Sequence, residues 1–242
     1  LDLACDDVFI LLRQQNVNMN DMLPTLQALR LSGPRLCEEN LKNLPSNLID
    51  LHVDSFGEKI ESSCIFGDPP RHIARLTLNF TIMDRSELAN DLPSELISLT
   101  IKCLICNFNW FSKLPSSLKS LKIVLVFFDP DWDTLPLQLE ELKLQAYSVF
   151  PKSLSRLPQS LITLELSHIY HITSEDDLIS LLPKNLTRIR IKYDSGLSHS
   201  VLQRLPVTLT DFEVNISATL SDILAFFHPE TTRIQNTSHP SF

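Results

Sequence analysis

Four glycines in 242 residues, at positions 33, 57, 67 and 196, leave no glycine-rich loop to cradle a phosphate. No serine or cysteine sits in a recognisable nucleophile turn either. No apolar run approaches the roughly 20 residues that a helix needs to cross a bilayer. Positive charge is also in deficit. The formal net charge is −8 and the isoelectric point about 5.3, which argues against general nucleic-acid binding through neutralised phosphates. Cysteines are few: 5, 37, 64, 103 and 106 make an odd number, without the clustering that closes the ends of secreted repeat proteins. Cys103 and Cys106 form a CxxC with no second ligand pair for zinc, and their place at the end of an alternating stretch reads as buried thiols. This cysteine usage points inside the cell, so a cytoplasmic protein is expected; no signal-peptide pattern opens the chain, and the start at Leu1 without Met leaves open a leader removed by processing. Sequons at Asn79, Asn185, Asn215 and Asn236 are close to the number that chance supplies.

What the chain does have is recurrence. LPTLQALRL (23–31), LPSNLIDLHV (44–53), PRHIARLTL (70–78), LPSELISLTI (92–101), LPSSLKSLKI (114–123), LPLQLEELKL (135–144), LPQSLITLEL (157–166), LPKNLTRIRI (182–191) and LPVTLTDFEV (205–214) are nine copies of one phrase. A proline is followed by apolar residues at offsets of three, six and eight, and the first copy is one residue short. The prolines step by 21 to 25 residues. That period is too short for the common two-helix units and falls within the leucine-rich-repeat range.

Within each copy the apolar period is two. Leu118, Leu121 and Ile123 face one way and Ser120 and Lys122 the other, as in a strand with one buried side. Proline has no N–H for a ladder and biases the residue before it towards an extended backbone, so Leu-Pro reads as the corner at which the chain enters a strand. Between corners lie about a dozen residues, enough for a turn or two of helix. Ser174 with Asp177, and Asp84 with Glu87, look like helix starts. The segments 106–115 and 127–136 lack such signals and read as turns or 3₁₀ pieces packed by aromatics. Residues 6–12 resemble a helix lying over the first coil. Residues 221–230 resemble a last helix running into Pro229, after which the phrase is no longer met at offsets three and six. Three parts are therefore expected: an N-terminal helical cap at 1–22, a nine-repeat solenoid at 23–216, and a C-terminal cap and tail at 217–242.

The LPxxLxxLxL unit resembles two groups of leucine-rich repeats. One is the FNIP-repeat proteins of amoebae and giant viruses, with LPxSLxxLxF; the other is the bacterial invasion-plasmid effectors, with LPxxLxxLxV. The Phe-Asn-x-Pro-Ile element of the first is missing. The Asn ladder of the second is absent as well: its positions hold Phe56, Thr81, Leu104, Val126, Tyr147, Ile169, Asp194 and Ser217. The resemblance implies an α/β fold: a right-handed leucine-rich-repeat solenoid, nine short parallel strands on the concave side, and short helices or turns on the convex side. It also implies a non-catalytic recognition scaffold, without cofactor or bound metal.

The residues facing away from the core define the candidate surface. Basic ones are Arg30, Arg75, Lys102, Lys122, Lys143, Arg188, Arg190 and Lys192; acidic ones are Asp50, Asp54, Glu141, Glu165, Asp211 and Glu213. The face is slightly positive on a negative chain, which suits a protein partner with some acidic character. Lateral pairing is expected to mute Arg188, Arg190 and Lys192, beside Glu165, Asp211 and Glu213. Lys102, Lys122 and Lys143 are expected to form one column, the least balanced on the face, with only Glu141 nearby. Asp50, His52 and Asp54 share one strand face, but steps of two residues put the carboxylates about 13 Å apart, too far for one metal or one acid/base pair. A solvated strand face is expected there, and 168–171 (HIYH) lacks the HExxH frame. A second candidate surface is an aromatic convex patch of Trp110, Phe111, Phe128 and Trp132. A ligand- or glycan-binding face would show exposed aromatics among the outward residues, and there are none. An enzyme would need titratable groups converging in a closed pocket, which an open sheet does not supply.

Overall fold

The computed structural model describes residues 2–4, 23–33, 44–55, 72–80, 82–83, 92–103, 105–106, 113–124, 135–145, 157–169, 182–193, 204–214 and 233–234. They hold thirteen strands. In chain order these are β1 (Asp2–Ala4), β2 (Ala28–Ser32), β3 (Asp50–Ser55), β4 (Arg75–Phe80), β5 (Ile82–Met83), β6 (Ser98–Lys102), β7 (Ile105–Cys106), β8 (Ser120–Val124), β9 (Glu141–Gln145), β10 (Thr163–Ile169), β11 (Arg188–Tyr193), β12 (Asp211–Val214) and β13 (Arg233–Ile234). Eleven form one sheet in the order β1-β2-β3-β4-β6-β8-β9-β10-β11-β12-β13, and β5 pairs with β7 apart from it. Every pairing is parallel. The nine repeat copies each supply one strand, stacked in sequence order as a parallel β-solenoid of leucine-rich units.

Seven of the corners are β-turns that open on the proline, and in the short first copy the turn opens on Leu23. The Leu118 amide donates to the Pro115 carbonyl at 3.1 Å, and the same bond recurs from Leu48, Leu96, Leu139, Leu161, Leu186 and Leu209 to the prolines three residues earlier. The strand begins only five residues after the proline. The Leu-Pro corner is thus a turn ahead of the strand: the proline stands at its first position, where its ring stiffens the entry and its carbonyl is the acceptor. The Leu at offset three is fully buried in Leu48, Leu96, Leu118, Leu139, Leu161 and Leu186.

Register between coils is established just before the strand. The carbonyl of Ile97 accepts amides from both Lys119 and Ser120, at 2.9 and 3.0 Å. Gln27, Ile49, Ala74, Lys119, Glu140, Ile162 and Thr187 do the same for the coil that follows each. A carbonyl has two lone pairs, so one oxygen can hold two amides of the next coil and leave neither unpaired. The consequence is in-phase stacking: Leu29, Leu51, Leu76, Leu99, Leu121, Leu142, Leu164, Ile189 and Phe212 lie side by side as one buried row.

Polar residues two past the proline bind the coils at the corner. Ser117 Oγ donates to the Ser94 or Leu96 carbonyl, both at 2.8 Å. Thr208 stands likewise over Lys184 and Leu186, at 2.9 and 2.6 Å. Asn47, Ser160 and Asn185 each reach one carbonyl of the preceding coil. A ladder of short polar side chains at the turn thus ties these coils to the ones before them.

Both ends of the sheet extend past the nine copies. β1 pairs Asp2 with Arg30 and Leu3 with Leu31, and β13 pairs Arg233 with Asp211 and Ile234 with Phe212. Ile234 follows Pro229 by five residues, the offset of Leu29 from Pro24 in the short first copy. The tenth copy is therefore a short one, which a search at offsets three and six passes over. The described residues contain no α-helix. The expected helices at 6–12, 84–93, 173–183 and 221–230 fall wholly or almost wholly outside them, as do the segments at 107–112 and 127–134.

Leu121 and Leu137 separate the two sides of the repeat. Leu121 is fully buried and Leu137, beside the turn proline, is 86% exposed. Leu121→Ala should cost about 2 to 5 kcal/mol, and Leu137→Ala and Lys122→Ala no more than about 0.5 kcal/mol. Urea midpoints test this, and similar values for the two leucine variants would contradict the inward and outward assignment.

Candidate functional site

Strand alternation and the shared register turn the polar face of the sheet into three columns. The first runs Ala28, Asp50, Arg75, Ser98, Ser120, Glu141, Thr163, Arg188, Asp211. The second runs Arg30, His52, Thr77, Thr100, Lys122, Lys143, Glu165, Arg190, Glu213. The third runs Ser32, Asp54, Asn79, Lys102, Val124, Gln145, Ser167, Lys192. Neighbours within a column are one strand spacing apart, about 4.8 Å.

At the N-terminal end the charges are neutralised around Asp54. This residue is 2% exposed and is the single buried charged residue among those described. Arg30 Nη2 donates to its Oδ2 at 2.8 Å, His52 Nε2 lies 2.9 Å from the same oxygen, and Asn79 Nδ2 donates to Oδ1 at 2.8 Å. Burial by itself would raise the carboxyl pKa; the hydrogen bonds from Asn79 and Arg30, with the charge and hydrogen bond of His52, outweigh it and hold the pKa below its ordinary value. The expectation of a solvated Asp50–His52–Asp54 face is corrected for Asp54, whose neighbours on both flanking strands enclose it. Asp50 is exposed enough to stay wet and pairs with Arg75 Nε at 2.9 Å. Asn79, the first sequon asparagine, has its amide engaged by Asp54 in the fold.

The C-terminal end is paired as well. Arg188 Nε donates to Asp211 Oδ2 at 2.7 Å. Arg190 lies between Glu165 and Glu213 as the alternation predicts; its Nε stands 3.2 Å from Glu213 Oε2, out of line for a hydrogen bond, and Nη2 is 3.9 Å from Asp211. Lys192 falls in the third column beside Ser167. These contacts are partly exposed and each contributes a few tenths of a kcal/mol, up to about 1.

The centre differs. Lys122 and Lys143 are lateral neighbours, whereas Lys102 lies one column over, between Asn79 and Val124. The three do not form a single column. Lys143 Nζ reaches back along its own strand to Glu141 Oε1 at 2.7 Å, and Ser120 Oγ donates to Glu141 Oε2 at 2.6 Å. Burial would raise the Glu141 pKa, but the hydrogen bonds from Lys143 and Ser120 and the charges of Lys143 and Arg188 bring it below its ordinary value. Lys102 and Lys122 have no ion pair among the described residues. Lys102, Lys122 and Lys143 are all half-buried.

Trp110, Phe111, Phe128 and Trp132 lie outside the described residues. Cys103 is buried, as its place at the strand end predicts, and no three His, Cys, Asp or Glu residues converge among the described residues. No described helix is long and apolar enough to cross a membrane. The exposed large apolar residues Ile97, Leu137, Ile162 and Val207 sit along the corners. Leu137 and Val207 are three corners apart, and such scattered exposure is normal for a soluble surface.

No protein-family model matches the chain, and no curated protein matches it. Among solved structures it is similar to CroV588, described as a novel circular LRR protein, at 20% sequence identity and a TM-score of 0.49. The match covers 88% of this chain and 34% of that one, so this chain spans about a third of its length.

Asp54 carries a pH signature. A carboxyl with a lowered folded pKa adds stability above its unfolded value, near 3.8, and that stability is lost as pH falls through the folded value. Asp54→Asn should lower stability by about 1 to 3 kcal/mol at pH 7. The gap between variant and parent should narrow as pH falls from about 5 to about 3, in the window set by the ordinary carboxylate pKa. Thermal melts across that range check it; a gap that stays constant would mean that Asp54 is not charged in the fold.

Proposed function

We propose that the chain is a non-catalytic protein-interaction scaffold whose polar sheet face meets the partner at the central coils. The supporting observation is the distribution of charge pairing. At both ends of the face acids and bases neutralise one another, and in the middle Lys102 and Lys122 stay uncompensated on a chain of net charge −8. Such a gap suits an acidic partner surface, steered electrostatically at long range and sensitive to salt. An open sheet offers area without enclosure, which favours recognition over catalysis. The similarity of the repeat unit to those of FNIP proteins and invasion-plasmid effectors, which are recognition scaffolds, supports the same reading. In this proposal the sheet is the concave side of a right-handed solenoid, the hand preferred for parallel strands joined by crossovers, and the protein works in the cytoplasm.

Lys143, Arg188, Arg190 and Lys192 complete the proposed surface as its rim. Lys143 is set back by its pair with Glu141, so the charge-reversal test belongs on the two open lysines. With a partner isolated by affinity capture on the whole chain, Lys102→Glu with Lys122→Glu should weaken binding at least tenfold with a nearly unchanged melting temperature. The association rate of the parent should fall as salt rises. Unaltered affinity in that variant, with binding lost on replacing Trp110 or Trp132, would move the interface to the aromatic segments.

A further inference from the structure

The two open lysines belong to a small square. Thr100 lies beside Lys122 across the β6–β8 pairing, and Lys102 lies beside Val124 in the same pairing, two residues on. The sides of the square are about 4.8 Å across strands and about 6.6 Å along them. Lys102 and Lys122 occupy one diagonal, about 8 Å between Cα atoms on the same spacings. Their four-carbon stems can bring both ammonium groups onto one group seated above the square. Thr100 adjoins both lysines, and its hydroxyl has no hydrogen-bond partner among the described residues.

The charge around the square is unusual for this sheet. Of the nearby acids on the described face, Glu141 is held by Lys143 and Ser120, Asp54 by Arg30, His52 and Asn79, and Glu165 lies two strands from Lys122, beyond Lys143 and beside Arg190. Two positive charges and a hydroxyl donor therefore stand together with no anion paired to them among the described residues. A single carboxylate would neutralise half of that charge. A phosphomonoester carries about −1.5 to −2 at neutral pH and three acceptor oxygens, which matches two ammonium groups and a hydroxyl together. We propose that the occupant of this square is a phosphoserine or phosphothreonine side chain of the protein partner. The inference rests on the sheet face being the interaction surface, and it names the group that the surface reads.

The whole chain, isotope-labelled, is titrated with a capped Gly-phosphoserine-Gly peptide and followed by amide chemical shifts. The same peptide with serine or glutamate, inorganic phosphate, and vesicles containing anionic phospholipid serve as comparisons. The phosphopeptide should bind at least tenfold more tightly than the glutamate peptide and shift the amides of Thr100, Lys102 and Lys122. Affinity should rise between pH 5 and pH 7, as the second phosphate proton leaves near about 6. Lys102→Gln and Lys122→Gln should each weaken binding several-fold, and the pair should abolish it. Equal affinity for the glutamate peptide, free phosphate binding as tightly as the peptide, binding to vesicles alone, or indifference to both lysine variants would each overturn the proposal. If the glutamate and phosphoserine peptides are equal while the double charge reversal still releases a captured partner, phosphate reading falls and the interaction surface stands. If that reversal changes neither, both fall.

Discussion

One carbonyl per coil, accepting two amides from the next coil, is the interaction on which the rest of this structure depends. It lies at the end of the proline turn, before the strand begins, so each coil is aligned with its neighbour before the ladder starts. A slip of one residue would turn every leucine outward and every lysine inward. The turn bond to the proline carbonyl and the short polar side chains two residues later brace the same spot. Leucine packing then follows as a consequence of alignment, and so does the layout of the polar face, because columns exist only when all the coils start in phase. The interior is strongest away from the ends: Leu26 and Leu209 stay partly exposed while Leu48, Leu96, Leu118, Leu139, Leu161 and Leu186 are fully buried. A terminal repeat has less to pack against than one with full neighbours on both sides.

Much of this was legible in the repeat. Proline spacing and an apolar period of two predict nine strands, their parallel stacking and which residues face out, and the observed register places Arg188 beside Asp211 and Arg190 between Glu165 and Glu213 as alternation requires. Less legible were the features that depend on a third dimension. Asp54 looks like any outward strand residue until Arg30 and Asn79 on the flanking strands close over it; the signal was present in the register, as an acid beside an amide and diagonal to a cation. The polar ladder at the turn was visible as Asn, Ser and Thr recurring two residues past the proline, but it was hidden by attention to the apolar offsets. Ile234 was missed because its copy follows the short phrase of Pro24 and not the common one. The grouping of Lys102 with Lys122 and Lys143 mistook a diagonal for a column.

The polar face is therefore zoned along the stack. The N-terminal zone is a satisfied network with a buried carboxylate at its centre. The C-terminal zone is a set of partly exposed lateral ion pairs, each worth little alone. Between them lies a stretch of hydroxyls and lysines where Glu141 answers Lys143 alone, and Lys102 and Lys122 have no ion pair among the described residues. Lateral pairing neutralises most cations on this face, as on any mixed-charge sheet. Among the described residues Lys102 and Lys122 are left out of that pairing, and this is the gap that the proposed acidic partner would fill.

The most direct test of that account is the salt dependence of stability for single-charge removals in the unliganded chain. At low ionic strength Arg188→Gln should destabilise by up to about 1 kcal/mol, because it leaves Asp211 without its closest cation. Lys122→Gln should leave stability unchanged or raise it by a few tenths of a kcal/mol, because it relieves repulsion from Lys143 and Lys102. Raising the salt concentration should bring the two variants together as both effects are screened. If Lys122→Gln instead destabilises the protein as much as Arg188→Gln, Lys122 has a partner within the chain and the central gap in charge does not exist.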